Sequence, residues 1–190
     1  MADVESAERR RLESGRSCGS CSYCCKLFSI AELAKPRGNW CVHCKPGRGG
    51  CGIYEERPGE CRAFYCAWLT GDLPAEWEPQ RSKMVATALD SKDGTNADAI
   101  ITVDPAYPNR WREEPYYGHI KQLAANCLAA NARTLVRVGK RQFAIFPSSD
   151  VDLGIIEDDA PFPQDKVALI HAARRAELLP GVRVPGKSGR

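Results

Sequence analysis

The chain has no apolar run near the roughly 20 residues a helix needs to span a bilayer, so no membrane partner is expected. Its opening residues, MADVESAERRRLESG, carry charges of both signs and lack the apolar stretch of a secretory signal. Net charge is only +3, too little by itself to argue for nucleic acid. Internal repeats, a phosphate-binding glycine loop and a Ser/His/Asp arrangement are all missing, and no catalytic residue stands out. Large aliphatic side chains are scarce between residues 16 and 70, where Leu27, Ile30, Leu33, Val42, Ile53 and Leu69 are the full set. Turns such as Pro46-Gly47-Arg48-Gly49-Gly50 interrupt even these. Hydrophobic burial alone is not expected to order that segment.

Cysteine is what the segment has instead. Nine of the ten cysteines fall between Cys18 and Cys66. With no export signal, a cytoplasmic location is expected, where dense cysteines serve as metal ligands or redox groups more often than as disulfides. A structural zinc site contributes an apparent ~10–16 kcal/mol to a small module, which matches or exceeds the ~5–15 kcal/mol that stabilises a whole domain. Metal binding and folding of residues 16–70 are therefore expected to be one event.

The spacing has a physical reason. A tetrahedral zinc holds each sulfur at about 2.3 Å, and a two-residue spacer lets the chain turn back to present a second sulfur beside the first. Cys18/Cys21, Cys21/Cys24 and Cys41/Cys44 have that spacing. Cys24 and Cys25 are adjacent, and adjacent side chains diverge, so one of them serves a different metal or a different role. Nine thiols also exceed the four that close one zinc site. Cys18, Cys21 and Cys24 equally reproduce the run that holds an iron–sulfur cluster once a distant fourth cysteine joins. Spacing does not separate zinc from iron or from a 4Fe-4S cluster. Arg57 and Arg62, beside or between cluster cysteines, are suited to offset thiolate charge. His43, inside Cys41-Val42-His43-Cys44, is expected beside the ligands and not among them, and His119 and His171 are expected to be ordinary polar residues.

The run Cys18-Cys21-Cys24-Cys25, followed by Cys51-Gly52-Ile53-Tyr54-Glu55, Arg57-Pro58, Cys61-Arg62, Phe64, Cys66 and Trp68, resembles the CxxCxxCC, or YkgJ-like, family of zinc- or iron-chelating cysteine-cluster proteins. The resemblance covers about residues 18–68. It implies a metal bound by Cys18, Cys21, Cys24, Cys25, Cys51, Cys61 and Cys66; Cys41 and Cys44 join the candidates on local spacing. A related cysteine block in flagellin lysine methylases is associated with an iron–sulfur cluster, so the resemblance also implies an enzymatic alternative, an oxidoreductase or a methyltransferase-like protein. Tyr54, Phe64 and Trp68 are expected to wall the site apolarly, and Pro58 to fix a turn that returns Cys61 and Cys66 to the first cysteines.

Past Trp68 the composition changes. Pro74 and Pro79 bracket a turn-rich connection. Strand-like runs follow at Met84–Leu89, Ala99–Val103, Thr134–Val138 and Gln142–Phe146, with a hairpin turn at Gly139-Lys140-Arg141. A helix is predicted from about Glu113 to Asn131, with Tyr116, Ile120, Leu123 and Cys127 along one face. Cys127 on that stripe reads as core packing. Asp150, Asp152, Glu157, Asp158 and Asp159 read as a solvated acidic rim, and a short helix is predicted around Asp165–Leu179 before a basic tail.

The expectation is an α+β protein: a flexible tail over residues 1–15, a cysteine-cluster metal-binding module over 16–70, an α+β scaffold over 71–160 with a small antiparallel sheet and one main covering helix, and a short helix and basic tail over 161–190. The function expected is chelation of zinc or iron, with a protein partner on the scaffold left open. Paired CxxC elements beside basic residues also suit a nucleic-acid-binding zinc module, but the pairs lack repeat symmetry and no basic-aromatic surface accompanies them.

Overall fold

The computed structural model describes residues 4–45, 49–90, 97–158 and 162–178. Its frame is a five-stranded sheet of β3 (Met84–Asp90), β4 (Ala97–Val103), β5 (Thr134–Val138), β6 (Arg141–Ile145) and β7 (Asp150–Ile155), in that spatial order. The class is α+β. Three pairings are antiparallel, but β4 and β5 run parallel, with Ile101 opposite Val136. A parallel pair needs a crossover, and α5 (Tyr116–Ala129) supplies it.

Alternation along the strands sorts the side chains onto two faces. On the first face, Met84, Ile101, Val103, Val136 and Ile145 pack with Trp77 and Trp111 against Tyr116, Ile120 and Ala124 of α5. The predicted stripe on this helix holds at Tyr116, Ile120 and Cys127, which are buried, while Ala124 is buried where Leu123 is only partly so. Ile120 has no exposed surface, and Ile120→Val is expected to cost about 0.5–1.5 kcal/mol, measurable as a lower urea midpoint with unchanged slope.

The second face is shared. Over its β5–β7 half lies α6 (Gln164–Leu178), whose Ile170 packs with Leu135, Ala144 and Leu153. Over β3 lies the cysteine module, whose Tyr23 and Leu27 bury Val85. The sheet thus has a second covering helix. Strand β7 lies where the acidic rim was expected. Its carboxylates face basic partners: Asp150 accepts from Lys121 at 2.6 Å and from Arg112 at 3.3 Å, and Asp152 pairs with Arg141. Glu157 and Asp158 are likewise ion-paired, with Lys140 and with Arg37 and Arg137. Asp159 and the basic tail lie outside the described residues.

Residues 4–14, expected as part of a flexible tail, form helix α1 (Val4–Ser14). Polar contacts hold it: Arg10 pairs with Asp72 at 2.8 Å, and Ser14 Oγ donates to the Leu69 carbonyl at 2.9 Å. Arg16 then donates to the carbonyls of Trp68 and Leu73 at 2.6 and 2.7 Å, with its guanidinium 5.1 Å from the centre of the Trp68 ring. The turn-rich connection bracketed by Pro74 and Pro79 is packed onto the scaffold through Trp77, which is buried in the main core.

Candidate metal centre

The cysteine module is a chain of short turns. Cys18 and Cys21 are joined by a turn in which the Cys21 N–H donates to the Cys18 carbonyl at 2.7 Å, and the Cys44 N–H does the same to Cys41 at 3.0 Å. Between them α2 (Tyr23–Leu27) carries Cys24 and Cys25, with Tyr23 and Leu27, one helical turn apart, anchoring it on Val85. A two-stranded hairpin, β1 (Cys44–Lys45) with β2 (Gly50–Cys51), sets Cys44 opposite Cys51. Pro58 precedes α3 (Gly59–Arg62), which carries Cys61 and leads on to Cys66. All ten cysteines are free thiols.

Gly50 shows how closely these turns pack. It sits at φ +68°, and a Cβ there would lie 2.9 Å from the Gly19 carbonyl oxygen and 3.3 Å from that of Cys21. Both atoms are backbone and cannot swing away. Gly50→Ala is expected to cost about 1–3 kcal/mol for its left-handed conformation, seen as lost amide protection in residues 18–25 by hydrogen exchange.

A cavity of about 130 Å³ opens among these turns. Cys18, Cys21, Cys24, Cys25, Cys51, Cys61 and Cys66 all line it. Tyr54 and Phe64 wall it, as does Phe28, whose ring centroid is 5.0 Å from that of Phe64. Trp68, expected in the wall, packs instead on the main core and under Arg16. Cys41 and Cys44 stand outside this lining, though the Cys41 N–H donates to the Cys25 carbonyl at 3.0 Å. Cys127 is buried on α5, among the apolar residues of the scaffold. His43 is half-buried, and His119 accepts from the Trp77 indole N–H at 3.0 Å.

The thiols are not electrostatically equal. Donation from Cys24, further donation from Cys44 and the charge of Lys35 bring Cys25 down to about 6, against the effect of burial. Burial pushes Cys21 and Cys44 up to about 11, and raises Cys18, Cys61 and Cys66. Cys24 is raised first by its hydrogen bond to Cys25 and then by burial.

Two cations beside the cluster were not anticipated from the sequence. Lys35 is buried, and its ammonium donates to the carbonyls of Lys26, Phe28 and Pro36. Burial lowers it, while Cys41, Cys25 and Cys24 pull it back up. Lys26, next to Cys25 in α2, pairs with Asp104 at 2.6 Å. Nothing in the cysteine spacing points to either lysine; each finds its partner only through the folded chain. Arg57 does sit where the sequence reading put it, lining the cavity with its guanidinium carbon 3.9 Å from the centre of the Tyr54 ring. Its Nε is buried without a hydrogen-bond partner among the described residues.

Chemically, the donors are soft sulfurs around an apolar cavity with Arg57 in its lining, a set that suits thiophilic metals over calcium or magnesium. Among the described residues, however, no three Cys, His, Asp or Glu side chains stand as a ready-made ligand group. The sulfurs ring the cavity without converging on a point. No protein-family model matches the chain, and no curated protein or solved structure matches it.

Proposed function

We propose that this protein binds zinc or iron through the Cys18–Cys66 cluster, and that the α+β part serves as the scaffold on which the cysteine module folds. The observation that carries the reading is the cavity, whose lining holds seven cysteines from separate stretches of the module. Random placement of reactive thiols would not gather them around one small apolar void. The Cys18/Cys21 and Cys41/Cys44 turns each close on a single backbone hydrogen bond. The ion would cross-link turns that bury few apolar side chains. Lys35 and Arg57 would offset the charge of more than two thiolates on a divalent ion. The CxxCxxCC resemblance and a reducing, cytoplasmic setting belong to the same proposal.

A second reading has its own observation. A groove of about 950 Å³ runs over the second face of the sheet, and Phe28 and Phe64 wall both this groove and the cysteine cavity. That adjacency favours an iron–sulfur centre serving a substrate groove, whether in redox or in methyltransferase-like chemistry.

Purification without added metal, under anaerobic conditions, followed by assay of zinc, iron and acid-labile sulfide per chain, tests both. Zinc without sulfide is the result expected for the first reading. Iron with matching sulfide and visible absorption would select the second. A chain free of both metals, when expressed with both supplied, would overturn the proposal.

A further inference from the structure

On the second face of the sheet, between the cysteine module over β3 and α6 over β5–β7, one row of side chains is polar where its neighbours are apolar. Thr102 stands opposite Arg137 on the parallel pair, and Arg137 opposite Gln142 on β5 and β6. The row starts from Val85, which the module buries, and the next row, Ile100, Leu135 and Ala144, packs toward α6. Thr102 and Gln142 are buried, and the Arg137 side chain is 14% exposed. Apolar side chains of similar volume would serve stability there as well or better, so packing alone does not call for a guanidinium on this floor. All three polar side chains line the groove of about 950 Å³, a size in the range of ligand pockets, ~300–1,000 Å³.

The charges around the groove are unevenly matched. Among the described residues, Arg10 is paired with Asp72, Arg133 with Asp98 and Glu157 with Lys140. Asp158 answers two cations at once: Arg37 Nε donates to its Oδ1 at 3.0 Å, and Arg137 Nη1 lies 3.0 Å from the same oxygen. Gln142, with its amide oxygen turned toward Arg137, accepts from Nη2 at 2.7 Å but brings no charge. Burial first, and then the charge of Arg37, hold Arg137 below the usual arginine value in spite of Asp158. One guanidinium from the sheet and one from the module therefore share a single carboxylate oxygen in the groove lining. The wall beside them is aromatic. The Arg37 guanidinium carbon lies 5.8 Å from the centre of the Phe28 ring, and Phe64 and Phe162 continue the lining.

We propose that this groove binds a small organic anion, its carboxylate or phosphate group held between Arg37 and Arg137 and a flat apolar body laid against Phe28 and Phe64. The guanidinium fork matches either oxyanion in bidentate geometry, and the ligand supplies the second negative charge that the two arginines lack. Thr102 and Gln142 orient it from the floor. The site uses no cysteine and no metal, so it stands or falls apart from the metal-binding reading.

The probes are 1-naphthyl phosphate and 1-naphthoate, with 1-naphthylmethanol as the uncharged control. Each is titrated into the full chain as purified, by calorimetry and by nitrogen-15 amide spectra. At least one anion is expected to bind with a Kd below about 1 mM and about tenfold more tightly than the alcohol, shifting the amides of Thr102, Arg137 and Gln142. The two anions together tell which oxyanion the arginines prefer. Arg137→Gln and Arg37→Gln should each weaken the anion about tenfold and leave the alcohol unchanged. Asp158→Asn should tighten the anion, because removing the internal carboxylate leaves both guanidiniums to the ligand; a purely structural bridge would give no such gain. Circular dichroism checks each fold, and if Arg137→Gln does not fold, Arg37→Gln and Asp158→Asn decide. The proposal is overturned by no binding of either anion at about 1 mM, by equal affinity for anion and alcohol, by indifference to the folded arginine variants, or by weaker anion binding in Asp158→Asn.

Discussion

Lys26→Met is expected to destabilise the protein by about 3–5 kcal/mol, the largest loss from any single substitution considered for this chain. Asp104 is the reason. Its side chain is 2% exposed, and the Lys26 ammonium at 2.6 Å is the one cation paired with it among the described residues. The Ala106 N–H, which donates at 3.0 Å, is a neutral partner and would remain. Removing the ammonium therefore leaves a carboxylate in a dry site with a single hydrogen bond. The two partners differ in their access to water, since the Lys26 side chain is 19% exposed. Asp104→Asn frees a lysine that can turn outward, so it is expected to cost distinctly less. Urea unfolding of both single variants and the double variant gives the ranking and the coupling between them. Equal losses, or a Lys26→Met loss below about 1 kcal/mol, would show the pair to be solvent-screened. Because Lys26 sits in α2 beside Cys25 and Asp104 just past β4, the same contact fixes the cysteine helix on the scaffold.

That pair also marks where sequence reading stops. The thiol grouping was legible because CxxC spacing is a local turn property, and turns are present at two of the three pairs, Cys18/Cys21 and Cys41/Cys44. Helix α5 was legible from Tyr116, Ile120 and Cys127, since a single apolar stripe governs both its period and its burial. Strand β7 was not. Asp150 and Asp152 read as a rim because their partners Lys121 and Arg141 stand 29 and 11 residues away; once paired, Asp150 lies against α5 while Leu153 of the same strand packs with Ile170 on the other face. Parallel pairing of β4 with β5 depends on the path of α5 across the sheet, which no strand pattern records. Helix α1 was missed because Arg10 and Ser14 hold it through polar contacts, not through an apolar stripe. The cavity itself was half legible: its seven thiols follow the cysteine pattern, but nothing in that pattern sets Cys41 and Cys44 apart from them.

Stripping the metal is expected to have the largest effect of all, and a confined one. If an ion contributes ~10–16 kcal/mol to the cysteine module, its removal exceeds anything that Tyr23, Leu27 and Val85 can offset by burial at about 1.5–3 kcal/mol per side chain. The scaffold has other means of support: Ile101, Val136 and Ile120 are fully buried in a core that contains no cluster cysteine. Ala67 and Trp68 pack on that core, and Arg16 grips the Trp68 and Leu73 carbonyls. The boundary of unfolding should therefore fall just before Ala67. Hydrogen exchange after treatment with a strong chelator is expected to show amide protection lost across residues 18–66 and kept in β4, β5 and α5. Restoring the metal should bring the lost protection back. Collapse of protection throughout the chain would mean that the module and the sheet fold as one unit, with the shared contacts at Val85 and Trp68 stronger than the division of cores implies. Unchanged protection across residues 18–66 would mean that these turns stand without an ion, and the metal-binding proposal would lose its structural rationale.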